Sequence, residues 1–159
     1  MIPKIILKDA QERFGEKLVL PAGSDRRLKA SFAWQGSESQ LQKAYFAHIA
    51  KLAIDSPILH LAHAIPNGGS RDIITASNLK AEGVKSGVPD VFIPIPNEIY
   101  HGLYIEFKRA GGSPSQAQRV FMNYLDEVGY KCLVINCLDY AILETKNYLK
   151  TFKYVRLED

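Results

Sequence analysis

The sequence predicts an α/β fold in which a mixed central β-sheet is flanked by helices. Three observations predict it. Apolar residues at helical spacing alternate along the chain with short β-rich runs, in the order α-β-(α)-β-β-α-β-α. Two strand-like runs, 88–95 and 101–108, bracket Pro96, Asn97, Glu98, Ile99 and Tyr100 and read as a β-hairpin. A length of 159 residues, with 47% hydrophobic and 23% charged residues, suits one domain with a real core. A sheet covered by helices buries such faces.

Residues 1–36 read as a separate extension, with short strands at Ile5–Leu7 and Lys17–Leu20 and a turn at Pro21–Ser24. The domain proper is expected over 37–159. Ser37 is a good N-cap for a helix running to about Ile54, with Leu41, Tyr45, His48, Ile49 and Leu52 at apolar spacing. Asp55, Ser56 and Pro57 stop it. Residues 58–65 read as a strand ending at the turn Pro66-Asn67-Gly68-Gly69, and 72–82 as a helix ending at Gly83. The loop Gly83–Gly87 leads into the hairpin. Beyond it, a helix is expected from about Ser115 to Val128, closed by Gly129. A strand over 130–136 and a last helix from Tyr140 to about Leu149 complete the pattern. The tail 150–159 reads as a strand or a surface segment.

Bulk properties exclude several classes. No run is long and apolar enough to span a membrane, and the N-terminus does not read as a signal peptide. No phosphate-loop or dinucleotide-binding glycine pattern occurs, so no nucleotide cofactor is expected. Cys132 and Cys137 lie in or near an apolar run and read as buried free thiols. The net charge of +3 is concentrated: residues 1–36 carry seven Lys/Arg against four Asp/Glu, and the rest of the chain balances. Arg26, Arg27 and Lys29 form the densest patch. It reads as a nucleic-acid arm, a dimer arm or simply a solvated surface.

The chemistry concentrates on the hairpin. With its centre at Glu98, Asp90 faces Glu106, Phe92 faces Tyr104 and Pro94 faces Gly102. Directly opposed side chains have Cβ atoms roughly 4.5–5.5 Å apart. Glu106 and Lys108 share a strand face. Two opposed carboxylates repel, and a hard divalent cation such as Mg²⁺ between them removes the conflict. A lysine beside that site can orient a water and steady developing negative charge. Taken alone, a Glu-x-Lys string is also what an ordinary surface hairpin carries.

The string formed by Glu38, Pro66–Gly69, Gly83–Asp90, Ile105–Lys108, Ser115–Gln118 and Gly129-Tyr130 resembles the VRR-NUC (virus-type replication-repair nuclease) domain over about residues 37–149. That domain is part of the PD-(D/E)xK nuclease superfamily. The resemblance implies a restriction-endonuclease-like core and a Mg²⁺- or Mn²⁺-dependent endonuclease. It implies that Asp90, Glu106 and the Phe107 carbonyl bind the metal, with Glu38 completing or extending the site. It implies that Lys108 holds the attacking water and that Gln118 orients the lysine or a water. It also implies 5′-phosphate and 3′-hydroxyl products and a bacterial or phage-encoded protein of the cytoplasm. A homodimeric resolvase of branched DNA, such as a Holliday junction, is the leading expectation. A flap or restriction-type nuclease, an RNA-cutting enzyme and a non-catalytic DNA-binding module are the alternatives.

Around this centre, Asn67, Gly68 and Gly69 suit close approach to a phosphate or a plain tight turn. Arg71, Lys85, Ser86 and Arg109 are phosphate contacts or solvated surface residues. His48, His60, His63 and His101 show no zinc spacing with the cysteines, and His60 and His63 are expected on opposite strand faces. Tyr45, Phe46, Phe121, Tyr124 and Tyr148 fit helix packing. Trp34 reads first as a packing residue, with a dimer contact or a DNA wedge as alternatives.

Overall fold

A computed structural model describes residues 33–66 and 78–150 of the chain. The chain divides into two compact units, Met1–Phe32 and Ala33–Asp159. The first unit, the strands expected in it, its basic patch and the tail 151–159 lie outside the described residues.

Helix α1 (Glu38–Asp55) starts at Ser37, as its capping chemistry requires. The Ser37 hydroxyl accepts from the Gln40 N–H, and the Gln40 side chain accepts from the Ser37 N–H, so two orphan donors are satisfied reciprocally. Its buried stripe is Leu41, Tyr45, Ile49 and Ala53. His48 is exposed and Leu52 half-buried.

The strand expected over 58–65 is instead a 3₁₀ helix, Pro57–Leu61, followed by the two-residue strand β1 (His63–Ala64). Proline at the first helical position presets φ, and the Leu59 and Ala62 N–H groups close tight turns onto Ser56 and Leu59. His60 and His63 therefore do not share a strand, and both are exposed. Only 78–82 of the helix expected over 72–82 are described; 78–81 are helical and Glu82 is in the closing turn. Gly83 ends this helix at φ 95°, with the Val84 N–H on Leu79 and its own N–H on Lys80, a Schellman closure.

Strands β2 (Val91–Ile93) and β3 (Leu103–Phe107) pair antiparallel, Val91 with Ile105, Phe92 with Tyr104 and Ile93 with Leu103. This is the register read from the sequence. Both strands are shorter than expected. Pro89 and Pro94 lack ladder donors, which limits β2 at both ends. Helix α2 (Gln116–Glu127) opens on a second capping box, Ser115 with Gln118, and closes on Gly129. Strand β4 (Lys131–Ile135) runs parallel to β3, and helix α3 (Leu138–Lys150) follows. The sheet order is β1-β2-β3-β4, with β1 antiparallel to β2.

One sheet face builds the core. Val91, Ile93, Leu103, Ile105 and Phe107 are fully buried with Leu41, Tyr45 and Ile49 of α1 and Ala141, Ile142 and Tyr148 of α3. Tyr45 Oη lies 2.8 Å from Thr145 Oγ1, and Tyr148 Oη donates to the Ile95 carbonyl at 2.6 Å. These bonds let two buried tyrosines lie among apolar residues without an unsatisfied hydroxyl. The other face carries Phe92 stacked on Tyr104 with centroids 4.3 Å apart, edged by Tyr130. Tyr124, expected to pack, is 65% exposed, because the buried side of α2 centres on Met122. The thiols of Cys132 and Cys137 are free and half-buried. Among the described residues, no helix is long and apolar enough to cross a membrane.

Candidate active site

The site forms where the β2–β3 ladder runs out. Continued by one residue, the observed register sets Asp90 against Glu106. Past Val91, strand β3 has no further partner residue of β2. Two carboxylates take over as acceptors. Asp90 Oδ2 accepts the Phe107 N–H at 2.9 Å, and Glu38 Oε1 accepts the Arg109 N–H at 3.0 Å. The intervening Lys108 N–H turns the other way, to the Ile135 carbonyl of β4 at 2.9 Å. The alternation of strand N–H groups thus places Asp90 and Glu38 along one edge of β3.

Glu106 is 1% exposed and Lys108 9%. Lys108 Nζ donates to Glu106 Oε1 at 2.6 Å. Gln118 Nε2 donates to the same oxygen, while Gln118 Oε1 caps α2 by accepting the Ser115 N–H at 2.8 Å. Gln118 therefore grips the carboxylate that holds the lysine, where sequence alone had it orient the lysine or a water. The second Glu106 oxygen, Oε2, is buried and has no hydrogen-bond partner among the described residues. A buried carboxylate oxygen without a partner is costly unless something positive comes to it.

Both carboxyls are pushed above their ordinary range. For Asp90 burial is the main cause, opposed by the Phe107 N–H and the Lys108 charge and reinforced by the Glu38 charge. For Glu106 burial again leads, opposed by the Lys108 hydrogen bond and reinforced by the charges of Asp90 and Glu38. The three acids and the lysine thus form one electrostatic unit. Among the described residues, no group of three or more His, Cys, Asp or Glu side chains is gathered at metal-binding distance. The Glu38 oxygen is directed to Arg109 instead.

The remaining expected residues fall into two sets. Lys85 and Ser86 are exposed on the loop before Gly87. Gly87 has φ 88°, and a Cβ there would stand 2.6 Å from the Ala117 carbonyl oxygen. Only glycine lets this loop lie against the first turn of α2, beside Gln118. Arg109 is exposed and lines a cleft of about 620 Å³ with Ala110, Glu38 and the segment Trp34–Ser39. Asn67, Gly68, Gly69 and Arg71 lie outside the described residues. The contribution of Trp34 to this cleft was hidden in the sequence. Its one local signal is Gly36, set between the tryptophan and the helix cap.

Comparison with known proteins now fixes the family. The VRR-NUC domain model matches residues 35–137. The chain belongs to the VRR-NUC family. It is thereby a member of a nuclease-type family. A solved structure described as a VRR_NUC domain protein is 25% identical, with a TM-score of 0.61, over 79% of this chain and 99% of that one. A search of curated proteins found no match. The mixed four-stranded sheet with flanking helices is the α/β architecture expected of a VRR-NUC member.

Proposed function

We propose that the chain is a Mg²⁺- or Mn²⁺-dependent endonuclease that cuts branched DNA. The observation that carries this reading is Glu106 Oε2, a buried carboxylate oxygen left without a partner beside a second carboxylate whose pKa is raised. That donor chemistry fits a hard divalent cation. Glu106 and Asp90 would hold it, with the Phe107 carbonyl and Glu38 as further oxygen donors. A divalent cation bound there supplies neutralising charge for the phosphoryl oxygens and acidifies a water.

The chain's own residues do the rest. Lys108 is fixed by its bond to Glu106 Oε1. An ammonium has three donors, which leaves two for the attacking water and a phosphoryl oxygen. Negative charge grows on the phosphoryl and leaving 3′ oxygens as the water oxygen bonds to phosphorus and the bond to the 3′ oxygen breaks. The water releases a proton to solvent, the leaving oxygen takes one up to become the 3′-hydroxyl, and a fixed ammonium is worth most at that moment. Gln118 keeps Glu106 in place while closing α2 at its start. Lys85, Ser86 and Arg109 are exposed at the margins and suit phosphate contacts that position DNA without reading sequence. Two symmetric cuts in a four-way junction call for two sites, so a homodimer is part of the proposal.

The test is cleavage of labelled four-way junction, flap and linear duplex DNA, with Mg²⁺, Mn²⁺ or a chelator. Symmetric nicks in the junction are expected with either metal. They should vanish with the chelator and in Asp90→Ala and Lys108→Ala. Binding without cutting under every metal condition would overturn the catalytic assignment. Light scattering that reports a monomer both free and on DNA would remove the resolvase form of the proposal.

A further inference from the structure

We infer that the cleft beside Glu38 receives a nucleobase of the DNA strand being cut, stacked on the indole of Trp34. This rests on the nuclease reading and adds how the strand is held.

The cleft has two walls, the segment Trp34–Ser39 and the pair Arg109-Ala110. Its volume of about 620 Å³ lies within the usual range of small-ligand pockets, roughly 300–1,000 Å³. It adjoins the reaction centre through Glu38, which belongs both to its wall and to the electrostatic unit of Asp90 and Glu106. A strand whose phosphate sits at those carboxylates must place a neighbouring base close by.

Trp34 is held in place. Its backbone N–H donates to the Asn136 carbonyl, just beyond β4, at 2.7 Å. A Cβ at position 36 would stand 2.6 Å from Trp34 Nε1 and 2.6 Å from Gln40 Oε1, so a larger residue there would have to displace the indole or the Gln40 side chain. The indole Nε1 is buried with no acceptor among the described residues. A buried tryptophan normally finds a partner for that N–H. The half-buried indole packs against the core, as the sequence reading expected, and also lines the cleft although its polar atom is unsatisfied.

The chemistry of the cleft selects the occupant. An aromatic ring and an arginine lining one cleft suit a base and its adjoining phosphate. Every base offers a π-face, so stacking secures a strand without reading its sequence. That agrees with an enzyme selective for shape.

Trp34 is the chain's only tryptophan, so its emission reports this cleft alone. The full chain is titrated in a chelator with an unlabelled four-way junction and with a single-stranded oligonucleotide. Binding is followed in parallel by anisotropy of labelled DNA. Quenching of Trp34 that saturates together with binding is expected. Trp34→Ala should weaken binding by roughly tenfold, the scale of one stacked base, and Trp34→Phe should restore most of it. Circular dichroism checks that both variants fold, and the wild-type titration needs neither.

Binding and metal-dependent cutting with unchanged Trp34 emission would overturn the stacking and leave the nuclease reading intact. Quenching on binding without cutting in Mg²⁺ or Mn²⁺ would support the stacking and sink the nuclease reading. A chain that binds no DNA overturns both.

Discussion

Glu38 Oε1 accepts the backbone N–H of Arg109 at 3.0 Å, joining the first turn of α1 to the chain just beyond β3. The bond is exposed, so its removal costs little stability. The Glu38 charge, by contrast, acts on both the buried Glu106 and the half-buried Asp90. Glu38→Gln keeps an oxygen for Arg109 and loses the charge. It should melt within about 0.5 kcal/mol of the wild type, the ordinary scale for surface changes, while cleavage falls at least tenfold. Paired melting and cleavage assays check this. Wild-type cleavage in Glu38→Gln would place Glu38 outside the chemistry.

The raised carboxyls give the metal-free protein a defined pH dependence. Their folded values lie above their unfolded ones, so the folded state keeps protons that the unfolded chain has released. Their stabilisation is complete below the ordinary carboxylate range, about pH 4, and is lost as pH rises through the folded values. Asp90→Asn removes one of these charges and keeps an acceptor for Phe107. Its melting temperature at pH 7 in a chelator should rise, by only about 1–2 °C because Asp90 is half-buried and its charge is partly screened by water. Its decline from pH 4 upward should be shallower, and cleavage should be lost. A lower melting temperature at every pH would show that the Asp90 charge supports the fold.

A cation that binds between Asp90 and Glu106 must stabilise the folded state. At a hundred times its dissociation constant, Mn²⁺ should add about 2.7 kcal/mol to wild-type stability. Asp90→Asn and Glu106→Gln should lose most of that gain. Thermal melts across a Mn²⁺ series measure it without any substrate. Equal stabilisation of all three proteins would place the cation elsewhere.

Lys108 and Glu106 form a pair that is almost wholly removed from water. Taking away one member of such a pair leaves an uncompensated charge, so Lys108→Met should cost about 3 kcal/mol in the metal-free protein. The Glu106 carboxyl would rise further, and stability would fall more steeply with pH. Loss of a donor aimed at developing charge should lower cleavage by roughly 10²–10³-fold. Urea melts at pH 5 and pH 8, with single-turnover cleavage, separate the two effects.

Gln118 serves both helix α2 and Glu106, and Gln118→Glu separates these duties. Glutamate at this position completes a capping box as well as glutamine does. It also places a carboxylate against Glu106 Oε1 where a donor stood. Helical circular dichroism should be unchanged while cleavage drops at least tenfold. Full activity would make Gln118 a capping residue only.

Local sequence determined much of this protein. Ser37 and Ser115 start their helices, Gly83 and Gly129 end theirs, and the alternation of the hairpin sets Asp90 against Glu106. Each outcome depends on residues a few positions apart, or on a period of two that a slipped register would invert. The run 58–65 defeated that reading. Its apolar residues suit a strand or a helical turn equally, and Pro57 with its tight turns decided for 3₁₀. Tertiary structure alone decided that Gln118 and Lys108 meet on one oxygen of Glu106 and leave the other buried and bare. It alone put Glu38 on the Arg109 amide, across 71 residues, and Trp34 in the wall of the same cleft. These contacts join separate elements, and their geometry follows from how α1, α2 and the sheet pack together. No local pattern encodes which oxygen of a carboxylate a distant donor will reach.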